Sequence, residues 1–290
     1  VTRARRKVQE WIGFASLYFA VLIVVSILGF ILYDIIARGY KVISWEFLTQ
    51  APRRGMTEGG IWPAIVGTFW VSVVTVFFSV PIGMFSAIYL VEYAEQGRLV
   101  RFIRLAIRNL SGVPSIVYGL FGFALFTLTL NLGLSVLSSG LTLALLTLPC
   151  TITASEEALK TVPMSYREGA LALGATKWQA IRTNVLPYAL PGMLTGTILS
   201  LARAAGETAP LLFTGVAFFL PSIPKFPHLL FEQYMALPYH LFIMSTQHHE
   251  IVKVRPLAYG TAFVLILLVV LMNGTAIWIR YRFRRKYKRG

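Results

Sequence analysis

Apolar residues fall into six long runs, at roughly 12–37, 61–91, 112–132, 135–155, 189–219 and 256–279, separated by shorter polar stretches. A helix needs about 20 apolar residues to cross the hydrocarbon core of a bilayer. The pattern therefore predicts an all-α integral membrane protein with six transmembrane helices and both chain ends on one side. The first run follows Arg3-Ala4-Arg5-Arg6-Lys7, is longer than the core of a signal peptide and lacks a small-residue cleavage site after it, which predicts a retained first helix. Pro81 and Pro210 lie within the second and fifth runs and predict interruptions there. Residues 221–255 form the longest external segment, with Pro221, Pro224, Pro227 and Pro238 bounding an expected interfacial helix near Phe231–Met244.

Composition agrees with the pattern. Of 290 residues, 56% are hydrophobic and 13% charged, and the mean hydropathy is +0.68. Lys and Arg total 27 against 12 Asp and Glu, a formal charge of +15. The basic residues sit before run one (Arg3 to Lys7), after run two (Arg98, Arg101, Arg104, Arg108), after run four (Lys160, Arg167, Lys177, Arg182) and at the end of the chain (Arg280 to Arg289). They outnumber those of the opposite loops, so this side, with both termini, is predicted to be cytoplasmic. Arg98, Arg101, Arg104 and Arg108 step by three or four residues among Leu99, Phe102, Ile103 and Leu105. That spacing predicts a short amphipathic helix with its basic face on anionic lipid headgroups. Nucleic acid is not the expected partner, because the stripe adjoins a span and has no folded reading module. A single cysteine, Cys150, excludes an intrachain disulfide, a cysteine-based zinc cage and an iron–sulfur cluster.

The cytoplasmic loop after run four is patterned as structure. Ser165-Tyr166-Arg167-Glu168 fits a capping box that starts a short helix, and Gly174 supplies the left-handed residue that ends it. Thr176-Lys177-Trp178-Gln179 repeats the capping signature, and Trp178, Ile181 and Val185 then share a helical face up to Pro187. Two rigid helices joined at a glycine are what a docking element needs, since a flexible coil would absorb an applied force. The competing reading is a helical loop resting on the membrane face.

The fifth run carries a charge where the bilayer disfavours one. Arg203 lies about 20 Å along a helix from Leu190 at ~1.5 Å per residue, and an ionised side chain at that depth faces a bundle interior, a partner or a water-filled path. Glu207 is four positions on and shares its face. Gly192, Gly196, Ser200, Arg203, Glu207 and Pro210 form one small and polar stripe, which predicts a closely packed helix partner. Two readings stay open. The pair is a structural lock, or Arg203 offers its fork to an anion while Glu207 positions it and limits how tightly the anion is held. Ser200 and Thr208 are candidate hydroxyl donors to such an anion.

Several stretches resemble a known family. Glu168-Gly169-Ala170, then Gly174, and Leu186-Pro187 closing the segment, resemble the motif that permease subunits of ATP-binding-cassette importers present to their ATPase; the usual pattern has Ala at 169 and Ile at 184. The stretches Asn109 to Gly119 and Arg203 to Leu212 are similar to phosphate-transport permeases of the PstA type, and with the loop they cover about residues 60–280. The resemblance implies a type I importer permease, MetI-like in architecture. Its domains would be 1–60 (basic tail, first helix, external loop), 61–285 (transmembrane domain with coupling helices at about 164–187) and 286–290 (basic cytoplasmic tail). It implies that Ser165, Glu168, Gly169, Ala170, Gly174, Trp178, Leu186 and Pro187 form the ATPase coupling segment, and that Arg203, Glu207, Ser200 and Thr208 line the substrate pathway. Its implied partners are a second homologous permease, two ATPase subunits that use ATP and Mg, and an extracytoplasmic phosphate-binding protein docking on the 38–60 and 221–255 loops. No cofactor would be bound by this chain.

Other chemistry is limited. No G-x-x-x-x-G-K-[ST] segment exists in the sequence, so ATP hydrolysis is not expected of this chain. His248-His249-Glu250 lacks metal-ligand spacing and is expected to be a solvated external loop; no metal site is predicted. Rival functions are a permease for another oxyanion (sulfate, molybdate, phosphonate), a membrane phosphate-sensing scaffold, or an integral-membrane enzyme, the last disfavoured because Arg203 and Glu207 lack a second carboxylate or a nucleophile–base pair.

Overall fold

The computed structural model describes residues 3–220 and 222–287. Pro221 and most of the expected 286–290 tail therefore lie outside the described residues. α1 (Arg3–Gly39) leads through the short α2 (Trp45–Thr49) and the antiparallel hairpin β1 (Pro52–Arg53) and β2 (Glu58–Gly59) into α3 (Trp62–Ile88). α4 (Arg98–Leu110) and α5 (Ser115–Gly122) precede α6 (Val136–Lys160). The short α7 (Met164–Ala172) and α8 (Lys177–Ala180) lead into α9 (Leu186–Gly206). α10 (Ala209–Thr214), α11 (Leu237–Thr246) and α12 (Ile251–Tyr287) complete the chain.

Among the described residues five helices are long and apolar enough to span a bilayer, and α4 with the helix from Ser115 to Thr129, bent by 103° to one another, makes a sixth where the pair is counted as one span. The third crossing is shorter than its apolar run at 112–132. Pro114 stands at its N-terminal cap, and α5 begins only at Ser115, then continues through a π turn to Thr129. Pro81 does not interrupt α3. The fifth run does break, although not as one kinked helix over 189–219. α9 ends at Gly206, Glu207 is extended (φ −71, ψ 136), and Pro210 sits in the first turn of α10, where its missing N–H costs nothing. The interfacial helix also starts later than expected, at Leu237 with Pro238 in its first turn, because Tyr234 is drawn into a bridge with Val216.

The core is a block of α3, α6 and α9 held at close range by small residues. Gly140 of α6 meets Val74 of α3, and Gly196 of α9 meets Ala154 of α6. A Cβ at Gly83 would lie 2.7 Å from Thr151, and one at Gly192 would lie 2.8 Å from Ala158. The predicted small stripe on the fifth span thus has its partner, which is α6. Hydroxyls buried in the seam return their protons to carbonyls one turn back, as Thr142 does to Ser138 and Thr147 to Leu143. Others bond across helices: Thr151 with Ser200 at 3.1 Å, Ser139 with Thr214 at 2.9 Å, and Thr75 donating to the Gly140 carbonyl at 3.3 Å. Such bonds and close backbones replace the hydrophobic effect, which is absent between helices in lipid. α1 stands outside the block, unburied along its apolar stretch, and packs on α12.

Gly196→Leu should drive its side chain into Ala154 and destabilise the protein by about 1–3 kcal/mol, whereas Gly29→Ala, in open space, should stay within about 0.5 kcal/mol. Thermal midpoints of the two variants in detergent check this contrast.

Candidate functional site

The loop after α6 folds as two helices joined at a glycine, with one predicted cap present and one absent. At α8 the Thr176 hydroxyl accepts from the Gln179 amide and the Gln179 side chain accepts from the Thr176 amide, a complete capping box. At α7 the expected Ser165 box does not form: the helix starts at Met164 with Pro163 at its cap, so Ser165 already lies inside the first turn. Gly174 takes φ +81, the left-handed geometry expected of it. Beyond Ala180 a π turn over Ile181–Val185 runs directly into α9, with Pro187 in its first turn. Ile181 and Val185 are buried, whereas Trp178 stays exposed, as do Met164, Tyr166, Leu171 and Leu173. Ser165, Glu168, Gly169 and Gly174 are also exposed, and Leu186 and Pro187 are half-buried. Ala170, expected among the contacts, is only 7% exposed and supports the helix pair from within.

Behind this surface lie two ion pairs that the sequence did not single out. Arg167 forks onto Glu92, with Nε donating to both carboxylate oxygens at 3.1 Å and Nη2 to Oε1 at 2.6 Å. Arg104, expected on the lipid face of α4, instead turns inward. It donates to Glu156 of α6 at 3.1 Å, to the Gln96 side chain at 2.7 Å and to the Leu90 carbonyl at 2.9 Å. A buried carboxylate needs a donor, and Glu156 at the inner end of α6 draws Arg104 away from lipid. The sequence signal was available: Glu92 and Glu156 are acidic residues at the inner ends of apolar runs.

In the broken span, Arg203 Nε donates to Glu207 Oε1 at 3.4 Å, with the Arg side chain 48% exposed and the Glu side chain 16%. Ser200 is buried and bonded to Thr151, and Thr208 lies in the break as the residue before α10. Arg203 is in the last turn of α9, where the helix dipole favours a cation. The two stretches that carry the family resemblance meet here, since a Cβ on Gly119 would lie 2.8 Å from Pro210.

His248, in the loop before α12, is buried, not solvated. Its Nε2 bonds the Gly55 carbonyl at 2.6 Å and its Nδ1 accepts from the Glu250 amide at 3.0 Å, which ties the hairpin tip to the loop before α12. His240 of α11 is buried with Nδ1 unpartnered, and burial, then the charge of His248, lowers its pKa to about 4.

Residues 79–289 match the family described as binding-protein-dependent transport system inner membrane component. The phosphate transport system permease protein PstA 1 of Mycobacterium tuberculosis is 31% identical over 293 residues, covering 97% of this chain and 92% of the relative. Its PstA counterpart in Mycobacterium leprae is 39% identical over 212 residues, covering 72% and 69%. A probable ABC transporter permease protein of Bacillus subtilis, YqgI, is 29% identical over 94% of this chain and 96% of its own. Among solved structures, the inward-facing MetNI methionine ABC transporter superposes with a TM-score of 0.61 at 17% identity, covering 77% of this chain and 97% of that one. A bacterial alginate importer gives 0.63 at 11% identity, covering 97% and 99%. These two share the fold. The chain is a multi-pass inner-membrane permease belonging to the family of binding-protein-dependent transport components. Within that family it belongs with the ABC-importer permeases of the PstA type.

Because the unfolded chain protonates histidine near pH 6.5 while folded His240 resists until about 4, the neutral form stabilises the fold above 6.5 and this contribution is lost as pH falls towards 4. Between pH 7 and 5 the loss should be about 2 kcal/mol, visible as a larger fall in thermal midpoint for the wild type than for His240→Leu.

Proposed function

We propose that this chain is one of two homologous permeases that together enclose a path for inorganic phosphate across the inner membrane, driven by an ATPase dimer docked on α7 and α8. The observation that carries the reading is Arg203, a charged side chain 48% exposed on the membrane-spanning α9, beside Leu199 on the same exposed surface. Lipid does not tolerate such a group at low cost, so its open side faces a partner or water. A guanidinium there, half-neutralised by Glu207, suits a tetrahedral oxyanion that must bind and leave. Irregular backbone at membrane depth is tolerated where it lines a cavity, and the break at Glu207–Thr208 beside Arg203 fits a pathway better than a structural lock. The relatives named for phosphate transport supply the choice among oxyanions.

In this reading both termini are cytoplasmic, and anionic lipids meet Arg98, Arg101 and Arg108 on α4. The phosphate-binding protein docks on the 38–60 and 221–255 loops. The transport domain is 61–285, with 1–60 and the tail as appendages. The partner ATPase uses ATP and Mg; this chain binds no cofactor and catalyses no covalent step. ATP-driven closure of the ATPase dimer moves α7 and α8, and α9 with them, and converts an inward-open path to an outward-open one; product release reverses it.

Proteoliposomes holding the complete assembly should take up labelled phosphate only with ATP and despite excess sulfate; suppression by sulfate, molybdate or phosphonate would assign another oxyanion, and binding without uptake a sensing role. Arg203→Gln should abolish uptake, and exchanging Arg203 with Glu207 should not restore it, whereas a merely structural pair would survive the exchange. Proline cannot adopt φ +81, so Gly174→Pro should leave insertion intact while abolishing ATP turnover stimulated by the binding protein; unchanged turnover would remove α7 and α8 as the coupling element.

A further inference from the structure

Force applied to α8 reaches α9 along a continuous helical chain through the π turn at Ile181–Val185. α7 has no such route. The turn at Thr161–Pro163 separates it from α6, the left-handed Gly174 separates it from α8, and no backbone joins it to α3. A cavity of about 770 Å³ opens between these elements, lined by Val91, Leu171, Ala180 and Ile181 among others, so close packing does not fix α7 against α3.

Arg167 crosses that gap. Nε and Nη2 hold Glu92 in the π turn that ends α3, Nη1 donates to the Val162 carbonyl at 2.8 Å, and Nη2 also donates to the Leu159 carbonyl at 3.0 Å. Leu159 lies in the last turn of α6, its carbonyl shared between Arg167 and the Val162 amide at 3.3 Å, and Val162 lies just beyond it, at the end of the helix where the dipole is negative. One guanidinium therefore binds the ends of two spans to α7 with every nitrogen engaged. The pair is shielded from water, the Arg side chain being 14% exposed and the Glu side chain 6%. Lysine, a point donor on a flexible stem, could not hold three acceptors in this fixed plane. Among the described residues this is the ion pair that joins α7 to α3.

We infer that Arg167 is a positioning residue that makes α7 move as one body with the inner ends of α3 and α6, so that ATPase motion reaches spans lying off the α8–α9 route. This rests on the reading of α7 and α8 as the ATPase docking element. Its loss uncouples the transporter without dismantling it.

The test uses the complete transporter with Cys150→Ser and spin labels at Met164→Cys on α7 and Phe85→Cys on α3. With the native fork, the distance between labels stays constant when ATP is added. Arg167→Gln and Glu92→Gln should let that distance change and broaden, and should raise ATP hydrolysed per phosphate transported by about tenfold, while assembly with the partner subunits is retained. Arg167→Lys should fall between, and it decides the matter if the Gln variants fail to assemble. In a separate Cys150→Ser variant without the label cysteines, a short bifunctional thiol reagent bridging Arg167→Cys and Glu92→Cys should restore the native ATP ratio. Native distances and an unchanged ATP ratio in Arg167→Gln, or in Arg167→Lys where only that variant assembles, would overturn the inference, as would a tethered variant that stays uncoupled. If the unmutated complex hydrolyses ATP without taking up phosphate, the phosphate reading fails and the label distances alone judge the fork.

Discussion

The architecture depends on how closely α6 approaches α3 and α9. In lipid, burying one leucine against another gains little, because the acyl chains are as apolar as the side chain. Glycine and alanine at the crossing points let backbones close in instead, and Ser and Thr hydroxyls bond across the seam or fold back onto their own helix. The result is a block stiff enough to carry load between its ends. At one end the Arg167–Glu92 and Arg104–Glu156 pairs gather the inner termini of the helices; at the other, α9 breaks and presents Arg203.

The block also explains why a charge can be stored in the fifth span. Ser200, one turn before Arg203, is pinned to Thr151, so the helix face that carries Gly192, Gly196 and Ser200 is committed to α6. Arg203 is displaced from that face far enough to stay open, with Glu207 beside it but only partly enclosing it. The Arg203 side chain is left 48% exposed, on a side that Glu207 does not cover.

Much of this was legible in the sequence, and the exceptions share a cause. Helix count, the Thr176 capping box, the left-handed Gly174 and the small stripe on α9 depend on neighbours a few residues apart or on hydropathy summed over a window, and these were read correctly. Ser165 misled because Pro163 starts the helix earlier than the local cap would. The fifth run breaks beside Pro210 as expected, whereas Pro81 misled, because α3 continues through it to Ile88. Arg104 is lipid-facing, Arg167 a loop charge and His248 solvated when local pattern alone is considered. Their partners, Glu156, Glu92 and the Gly55 carbonyl, lie 52, 75 and 193 residues away in sequence, and no periodicity reports a contact of that kind.

Three π turns interrupt otherwise regular helices, at Tyr89–Tyr93, Phe123–Thr129 and Ile181–Val185. The first and third lie where a membrane helix meets a peripheral segment, the second forms the latter half of the third crossing, and none falls where α3, α6 and α9 cross. A π turn inserts its surplus residue without ending the hydrogen-bonded run, so the helix changes its register and the direction of its side chains while its backbone stays continuous. At Tyr89–Tyr93 this places Glu92 under the Arg167 fork, and at Ile181–Val185 it joins α8 to α9 without a loop between them. The peripheral helices are thus set at their own angles and still remain in one piece with the spans.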